Sequence, residues 1–300
     1  MNKKNYNIIF KKGLIFYFAF VFLLSFTLSC KNKVSEEKII EADIFIEKVN
    51  FISKNDTTFF TYFNNNKIQI DIKYPSQNSK GTILILHGWD CKHTEILENT
   101  SFCDSALQHN FTLIIPNLGK CNYMSKIYPE THKNLQNFPT LTWLIDTMIP
   151  LLQTNFNLLE NKQKNYIMGL STGGRGATML AYKLPHIFTA VATVSGEFDI
   201  TKRPDYYLYY AYLGNYENHQ ERWKNECFAF DCENYFVHTY IAHGLNDRVA
   251  TSQNSISMYD SLKLYHKNLR IEKHLVENQG HNYNYWNTET SNILNFFISF

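Results

Sequence analysis

The chain has 300 residues, 44% hydrophobic and 19% charged, which excludes a disordered polymer, because such chains carry too little apolar surface to offset their conformational entropy. It holds a single long apolar run, which excludes a polytopic membrane protein. The formal charge of +2 belongs to the N-terminus: beyond residues 1–29, with Lys3, Lys4, Lys11, Lys12 and no acid, 25 Lys and Arg face 27 Asp and Glu, and such a balance leaves no electrostatic footprint for nucleic acid.

The four lysines precede an apolar run from Leu14 to Leu28, broken by Ser25 and Thr27. That length suits a signal-peptide core and falls short of a membrane span. The run closes on Leu28-Ser29-Cys30, followed by Lys31-Asn32-Lys33. A Cys directly after small residues at the end of such a core resembles a bacterial lipoprotein signal, in which cleavage before the Cys frees its amine and thiol for lipid attachment. Thr27 stands where that pattern prefers Leu. The expectation is an exported chain with a signal peptide over 1–30, a polar tether over 31–43 and one domain over 44–300. It would be anchored to the membrane of a bacterial cell envelope through Cys30, or otherwise be periplasmic or secreted.

Beyond the tether, Thr57–Phe63 and Lys67–Tyr74 flank Asn64-Asn65-Asn66, and Asn tolerates left-handed backbone angles, so this stretch reads as a β-hairpin. Thr82–Leu86 and Thr112–Ile115 are short continuous apolar runs, the mark of central strands buried on both faces. Pro139–Asn155 carries Leu141, Leu144, Ile145, Met148 and Leu152 at helical spacing. Asn165–Leu170 has strand character, and Ala177–Leu184 reads as a helix stopped by Pro185. Strands follow at Phe188–Val194, Phe236–Ala242 and Leu269–Val276, with a helix at Ser252–Tyr265 and a last helix from about Asn287. Alternation of strand and helix from residue 82 onward predicts an α/β fold: a mostly parallel central sheet flanked by helices and entered by an antiparallel hairpin. Residues 195–236 lack clear periodicity and exceed ordinary loop lengths. With Tyr206, Tyr207, Tyr209, Tyr210, Tyr212 and Trp223 they read as a cap-like insertion forming a binding wall.

The sharpest local signal is Gly169-Leu170-Ser171-Thr172-Gly173-Gly174, of the form Gly-x-Ser-x-Gly, after a predicted strand and opening a predicted helix. This is the setting of a nucleophile elbow, in which a tight turn exposes the Ser hydroxyl and small residues two before and two after it let strand and helix approach. The N–H of Thr172 then opens the helix, aimed where negative charge develops. A Ser hydroxyl needs a base. Of eleven His, His281 follows Gly280 past the last predicted strand, where it can reach the tops of the central strands. His87 and His243, each before a Gly at a strand end, read as turn residues. Asp247, directly after the Phe236–Ala242 strand, is the orienting carboxylate, with Asp199 as runner-up. Ser171, Asp247, His281 is the chain order of an α/β-hydrolase triad. The loop His87-Gly88-Trp89-Asp90 supplies the second oxyanion donor, the N–H of Trp89. Tyr206, Tyr207 and Trp286 are candidate substrate contacts. This chemistry requires no cofactor and no metal. The cysteines are less informative. Cys227 and Cys232 are close enough for a local disulfide, and with His238 they match no zinc spacing.

Together, HGWD at 87–90, IIPNLG at 114–119, GLSTGGRGA at 169–177, LPHIFTAVATVSGEFD at 184–199, HGLNDRV at 243–249 and GHNYNYW at 280–286 resemble the putative esterase family, the esterase-D-like branch of the α/β-hydrolases, from about residue 65 to 300. That family includes S-formylglutathione hydrolases, feruloyl and acetylxylan esterases, siderophore esterases and mycolyltransferases. The resemblance implies a serine esterase working through an acyl-enzyme on a small-molecule or carbohydrate ester, and it does not choose the ester. The competing readings are an acyltransferase with the same triad, a serine peptidase and a non-catalytic surface-binding protein.

Overall fold

The computed structural model describes residues 47–51, 56–63, 66–135 and 138–300. The expected signal peptide, Cys30 and tether, and the Asn64-Asn65 turn of the hairpin, lie outside the described residues.

Among the described residues, nine strands form one sheet: β1 (Glu47–Phe51), β2 (Asp56–Phe63), β3 (Asn66–Lys73), β4 (Gly81–Leu86), β5 (Phe111–Pro116), β6 (Asn165–Leu170), β7 (Ala190–Val194), β8 (His238–Gly244) and β9 (Ile271–Val276). Their spatial order is β1-β2-β3-β5-β4-β6-β7-β8-β9. The first three pair antiparallel, and β3 joins β5 antiparallel. From β5 across to β9 every pairing is parallel. The sheet is therefore the expected one, an α/β-hydrolase sheet entered by an antiparallel hairpin. The burial patterns explain the sequence patterns. β2 alternates half-buried and buried residues, while β5, β6 and β7 are buried throughout, as strands covered on both faces must be.

The helices are α1 (Glu95–Asn99), α2 (Phe102–Gln108), α3 (Thr140–Trp143), α4 (Ile149–Phe156), α5 (Thr172–Lys183), α6 (Tyr207–Leu213), α7 (Gln220–Asn225), α8 (Ser252–Tyr265), α9 (Tyr283–Thr288) and α10 (Thr290–Ile298). Because strand side chains alternate, Leu84, Ile114, Ile167, Val191 and Ile241 face a core shared with α3, α4, α5 and α8. Their neighbours Ile83, Ile85, Met168, Ala192 and Ala242 face a second core with α1, α2, α9 and α10.

Four expectations are corrected. The single helix at Pro139–Asn155 is α3 and α4 joined by a π-turn, Leu144–Met148. Pro150, in the first turn of α4, has no N–H to bond the preceding turn, and the wider turn accommodates it. The final helix is split at Glu289, whose buried carboxylate accepts from Tyr240 and His274. The insertion is not irregular: α6, α7 and short 3₁₀ turns build a small core of their own, with Ile200, Tyr209, Tyr212, Leu213 and Trp223 packed on Met124 and Leu135. Cys227 and Cys232 form no disulfide. Both thiols are free and buried, and each donates to a backbone carbonyl of the preceding turn, Trp223 and Phe228 respectively.

β4 lies between β5 and β6, so the chain reverses its direction of travel across the sheet there. Ligands of open α/β sheets bind in the crevice beyond the strand ends at such a reversal. The loops after β4 and β6 open at this point.

Candidate active site

Ser171 is the residue between β6 and α5, with φ 56° and ψ −123°. This left-handed conformation is strained for a residue with a side chain, at a cost of about 1–3 kcal/mol. The surrounding glycines make the turn possible. A Cβ on Gly169 would run into the carbonyl of Gly173, and one on Gly173 into that of Leu86. The Ser171 N–H bonds Val194 O of the neighbouring strand at 2.9 Å, which fixes the elbow to the sheet.

His281 Nε2 lies 2.8 Å from Ser171 Oγ, and His281 Nδ1 lies 2.7 Å from Asp247 Oδ2. A carboxylate only accepts, so Nδ1 carries the proton and Nε2 is free to accept from the hydroxyl. The three side chains thus form one continuous hydrogen-bonded line, from residues far apart in sequence. The Asp247 side chain is fully buried, and its other oxygen accepts the N–H groups of Val249 and Ala250 at 2.8 and 2.9 Å. Burial alone would raise its pKa, but hydrogen bonds from His243 and His281 outweigh it and hold the carboxyl well below the usual range. Asp199, the runner-up, is used elsewhere: it caps the turn at Ile200–Lys202 by accepting from Thr201.

Two histidines read as turn residues have larger parts. His243 is fully buried, and its Nε2 faces two acceptors, Ala250 O at 3.0 Å and Asp247 Oδ2 at 3.3 Å. Nε2 therefore carries a proton, and Nδ1 meets Ser255 Oγ at 2.7 Å. Asp247 Oδ2 is shared by two imidazoles. His87 accepts the Leu118 N–H at Nε2 (2.9 Å), so its proton sits on Nδ1 and is donated to Gly88 O at 2.7 Å. That carbonyl and the Trp89 N–H belong to one peptide group. In a trans peptide the two point in opposite directions, so His87 turns the Trp89 N–H away from its own ring. Burial holds the His87 imidazole down to about 4, and it stays neutral in the working range. A His before a Gly gives no local sign of either role, because the partners lie on other elements.

Thr172 opens α5, so its N–H stands at the positive end of a 12-residue helix. Gly88 lies against Ser171, its missing Cβ 3.4 Å from Ser171 Cβ. A cavity of about 230 Å³ opens over Ser171 and His281, lined also by Trp89, Tyr206 and Trp286 among others. The Trp286 ring meets the His281 ring edge-on, with centroids 5.1 Å apart, and its Nε1 donates to Ser195 Oγ at 3.1 Å. Tyr207 is brought elsewhere. It is 45% exposed on the outer side of α6, against His132 and Tyr210. Tyr209, one of the tyrosines read as a binding wall, lines the cavity, as do Arg175 and Glu197, which the sequence pattern did not single out.

The chain matches the putative esterase family over residues 63–297. No curated protein matches it. Among solved structures, an S-formylglutathione hydrolase from Agrobacterium tumefaciens is 13% identical, with 84% of this chain and 98% of that one covered at a TM-score of 0.66. Fluorophosphonate-binding serine hydrolase F of Staphylococcus aureus is 16% identical, with 81% and 98% covered and a TM-score of 0.65. A ferulic acid esterase is 18% identical, with 81% and 97% covered and a TM-score of 0.60. At these identities the likeness is one of fold.

Proposed function

Since the chain belongs to the putative esterase family, the esterase-type serine hydrolases of the α/β-hydrolase fold, we propose that it is an exported serine carboxylic-ester hydrolase in which Ser171, His281 and Asp247 are the catalytic triad. The observation that carries this reading is the unbroken line Ser171 Oγ–His281 Nε2–His281 Nδ1–Asp247 Oδ2, at 2.8 and 2.7 Å. Ser171 Oγ bonds to the ester carbonyl carbon while its proton passes to His281 Nε2. The imidazolium is stabilised by Asp247. The amides of Thr172 and Trp89 hold the oxyanion, a contribution worth about 2.7–4 kcal/mol per donor in related chemistry. Collapse expels the alcohol, which takes the proton from His281. Water then gives a proton to His281, attacks the acyl-enzyme and releases the acid. The substrates we assign are acyl, acetyl or hydroxycinnamoyl esters of carbohydrates. The aromatic wall of Trp89, Tyr206 and Trp286 supports this, as does the fold shared with a ferulic acid esterase. The signal-like N-terminus and Cys30 support export and a lipid anchor.

The test is to treat the purified mature chain with a fluorophosphonate probe beside Ser171→Ala. Labelling and p-nitrophenyl ester hydrolysis by the wild type, with both lost in Ser171→Ala by about 10⁶-fold in kcat, is the expected result. A wild type that takes up no probe and turns over no ester would sink the reading.

A further inference from the structure

Among the described residues that line the cavity, Glu197 supplies a carboxylate. It follows β7 and its side chain is 8% exposed. Oε1 accepts from Arg203 Nη1 at 2.7 Å, and Oε2 accepts from the Tyr209 hydroxyl. Both donors are fixed. The Arg203 guanidinium stacks 3.8 Å over the Tyr206 ring and donates to Val249 O at 2.7 Å. Tyr209 is buried, and burial together with Glu197 pushes its phenol well above the usual range, so it remains a donor. An ionised carboxylate offers about four lone-pair sites, and two protein donors leave about two of them open. A buried ion pair is a poor device for stability alone, because apolar replacements of similar volume are often no worse. What Glu197 adds beside the nucleophile is acceptor capacity.

Charge decides which donor can use it. Arg175 lines the same cavity and is 1% exposed. Its Nη1 donates to the carbonyls of Asn122 and Tyr123 at 2.6 and 3.1 Å and its Nη2 to that of Glu226, all neutral acceptors, while its Nε has no partner. A cationic group entering the cavity meets this guanidinium, and an anionic group meets the open lone pairs of Glu197. A neutral hydroxyl is repelled by neither, because it donates to the carboxylate and its oxygen can accept from a guanidinium N–H.

Resting on the serine-esterase reading, we propose that Glu197 is the residue that reads a hydroxyl group on the substrate, and that the enzyme selects uncharged esters bearing a hydroxyl on the acyl or the alcohol part. A single charge-assisted bond of this kind gives a preference of about 10- to 100-fold in kcat/KM.

The experiment compares matched esters on the full mature chain. Glycerol 1-acetate against propyl acetate probes the alcohol side, and ethyl 3-hydroxybutyrate against ethyl butyrate the acyl side. Monoethyl succinate against ethyl butyrate, and acetylcholine against 3,3-dimethylbutyl acetate, probe charge. The expected result is a preference of about 10-fold or more for the hydroxylated ester in at least one pair, slower turnover of both charged esters than of their neutral partners, and a hydroxyl preference that falls to about one in Glu197→Met. The wild-type comparisons stand even if that variant does not fold. Parity in both hydroxyl pairs, or a charged ester that outruns its neutral isostere, overturns the proposal. If the chain still takes up the fluorophosphonate and hydrolyses propyl acetate, only this proposal falls. If it does neither, the esterase reading falls with it.

Discussion

At the rim where the parallel strands end, backbone groups carry the geometry, whereas in the 195–236 insertion side chains carry it. The elbow is fixed by Ser171 N–H on Val194 O, the acid by the N–H groups of Val249 and Ala250, and the loop before His281 by Asn246 N–H on Gln279 O at 2.8 Å. In the insertion, Arg175 reaches across to Glu226 O, and the Glu226 carboxylate accepts from Ser125 N–H, Ser125 Oγ and Tyr128. Thr131 Oγ1 bonds Tyr212 O at 2.7 Å, and Trp223 Nε1 bonds Gly214 O at 3.1 Å. The difference separates a rim positioned by main-chain groups from an insertion that depends on single polar side chains.

The largest expected effect is at the rim. Asp247→Asn keeps an oxygen for the Val249 and Ala250 amides but favours the wrong tautomer of His281, so kcat should fall about 10⁴-fold in a chain that still folds, with a lower thermal midpoint because the new amide N–H faces the His243 N–H that Oδ2 accepts. Loss of folding instead would break the idea that backbone alone holds the rim. In the insertion the order reverses. Arg175→Met leaves the carbonyls of Asn122, Tyr123 and Glu226 without their donor, and stability should fall by about 3 kcal/mol in urea unfolding, with new protease cleavage in the insertion. An unchanged urea midpoint would show that the insertion stands without its clamp.

His243 tests whether the rim is as independent of side chains as it looks. His243→Leu removes one of the two N–H donors on Asp247 Oδ2. A loss of about 2 kcal/mol, roughly 30-fold in kcat/KM, is expected. An unchanged kcat/KM, with only the unfolding midpoint lowered, would confine His243 to packing.

The same contrast explains what could be read in the sequence. Ser171, Asp247 and His281 were legible because each sits in a local pattern, a Gly-x-Ser-x-Gly after a strand, or a polar loop after one, and chain order did the rest. The apolar runs at β4, β5 and β6 were legible because strands covered on both faces have no polar side. α6 was not, because the same residue type occupies both of its faces: Tyr209 and Tyr212 are buried, while Tyr207 and Tyr210 are 45% and 37% exposed. Tyrosine carries an apolar ring and a polar tip, so the helical period leaves no trace in hydropathy. Glu197 and Arg175 were not legible either, since their meaning lies in partners contributed by Arg203, Tyr209, Asn122 and Glu226. The π-turn before Pro150 shows a middle case, where the helix was evident and its irregularity followed from one residue.

His87 is where the two regimes meet, because a rim loop is held there by a side chain. Its imidazole bridges Leu118 N–H and Gly88 O and is buried in the neutral form, at about 4 against 6.5 for the free group. Between those values the unfolded chain binds the proton and the folded one does not, so stability rises with pH across that window. The contribution is complete above 6.5 and is lost as pH falls through the folded value, at about 1.4 kcal/mol per pH unit within the window. The Asp247 carboxyl, held below 3.8, sheds its own contribution only at lower pH. His87→Asn offers Gly88 O an amide N–H that does not titrate. Urea unfolding from pH 4 to 6.5 should therefore show a shallower pH slope for the variant by about 1.4 kcal/mol per unit, roughly tenfold in the folding constant. Equal slopes would mean that the loop bearing the Trp89 N–H does not depend on the His87 side chain, and the division between a backbone-held rim and a side-chain-held insertion would then hold without exception there.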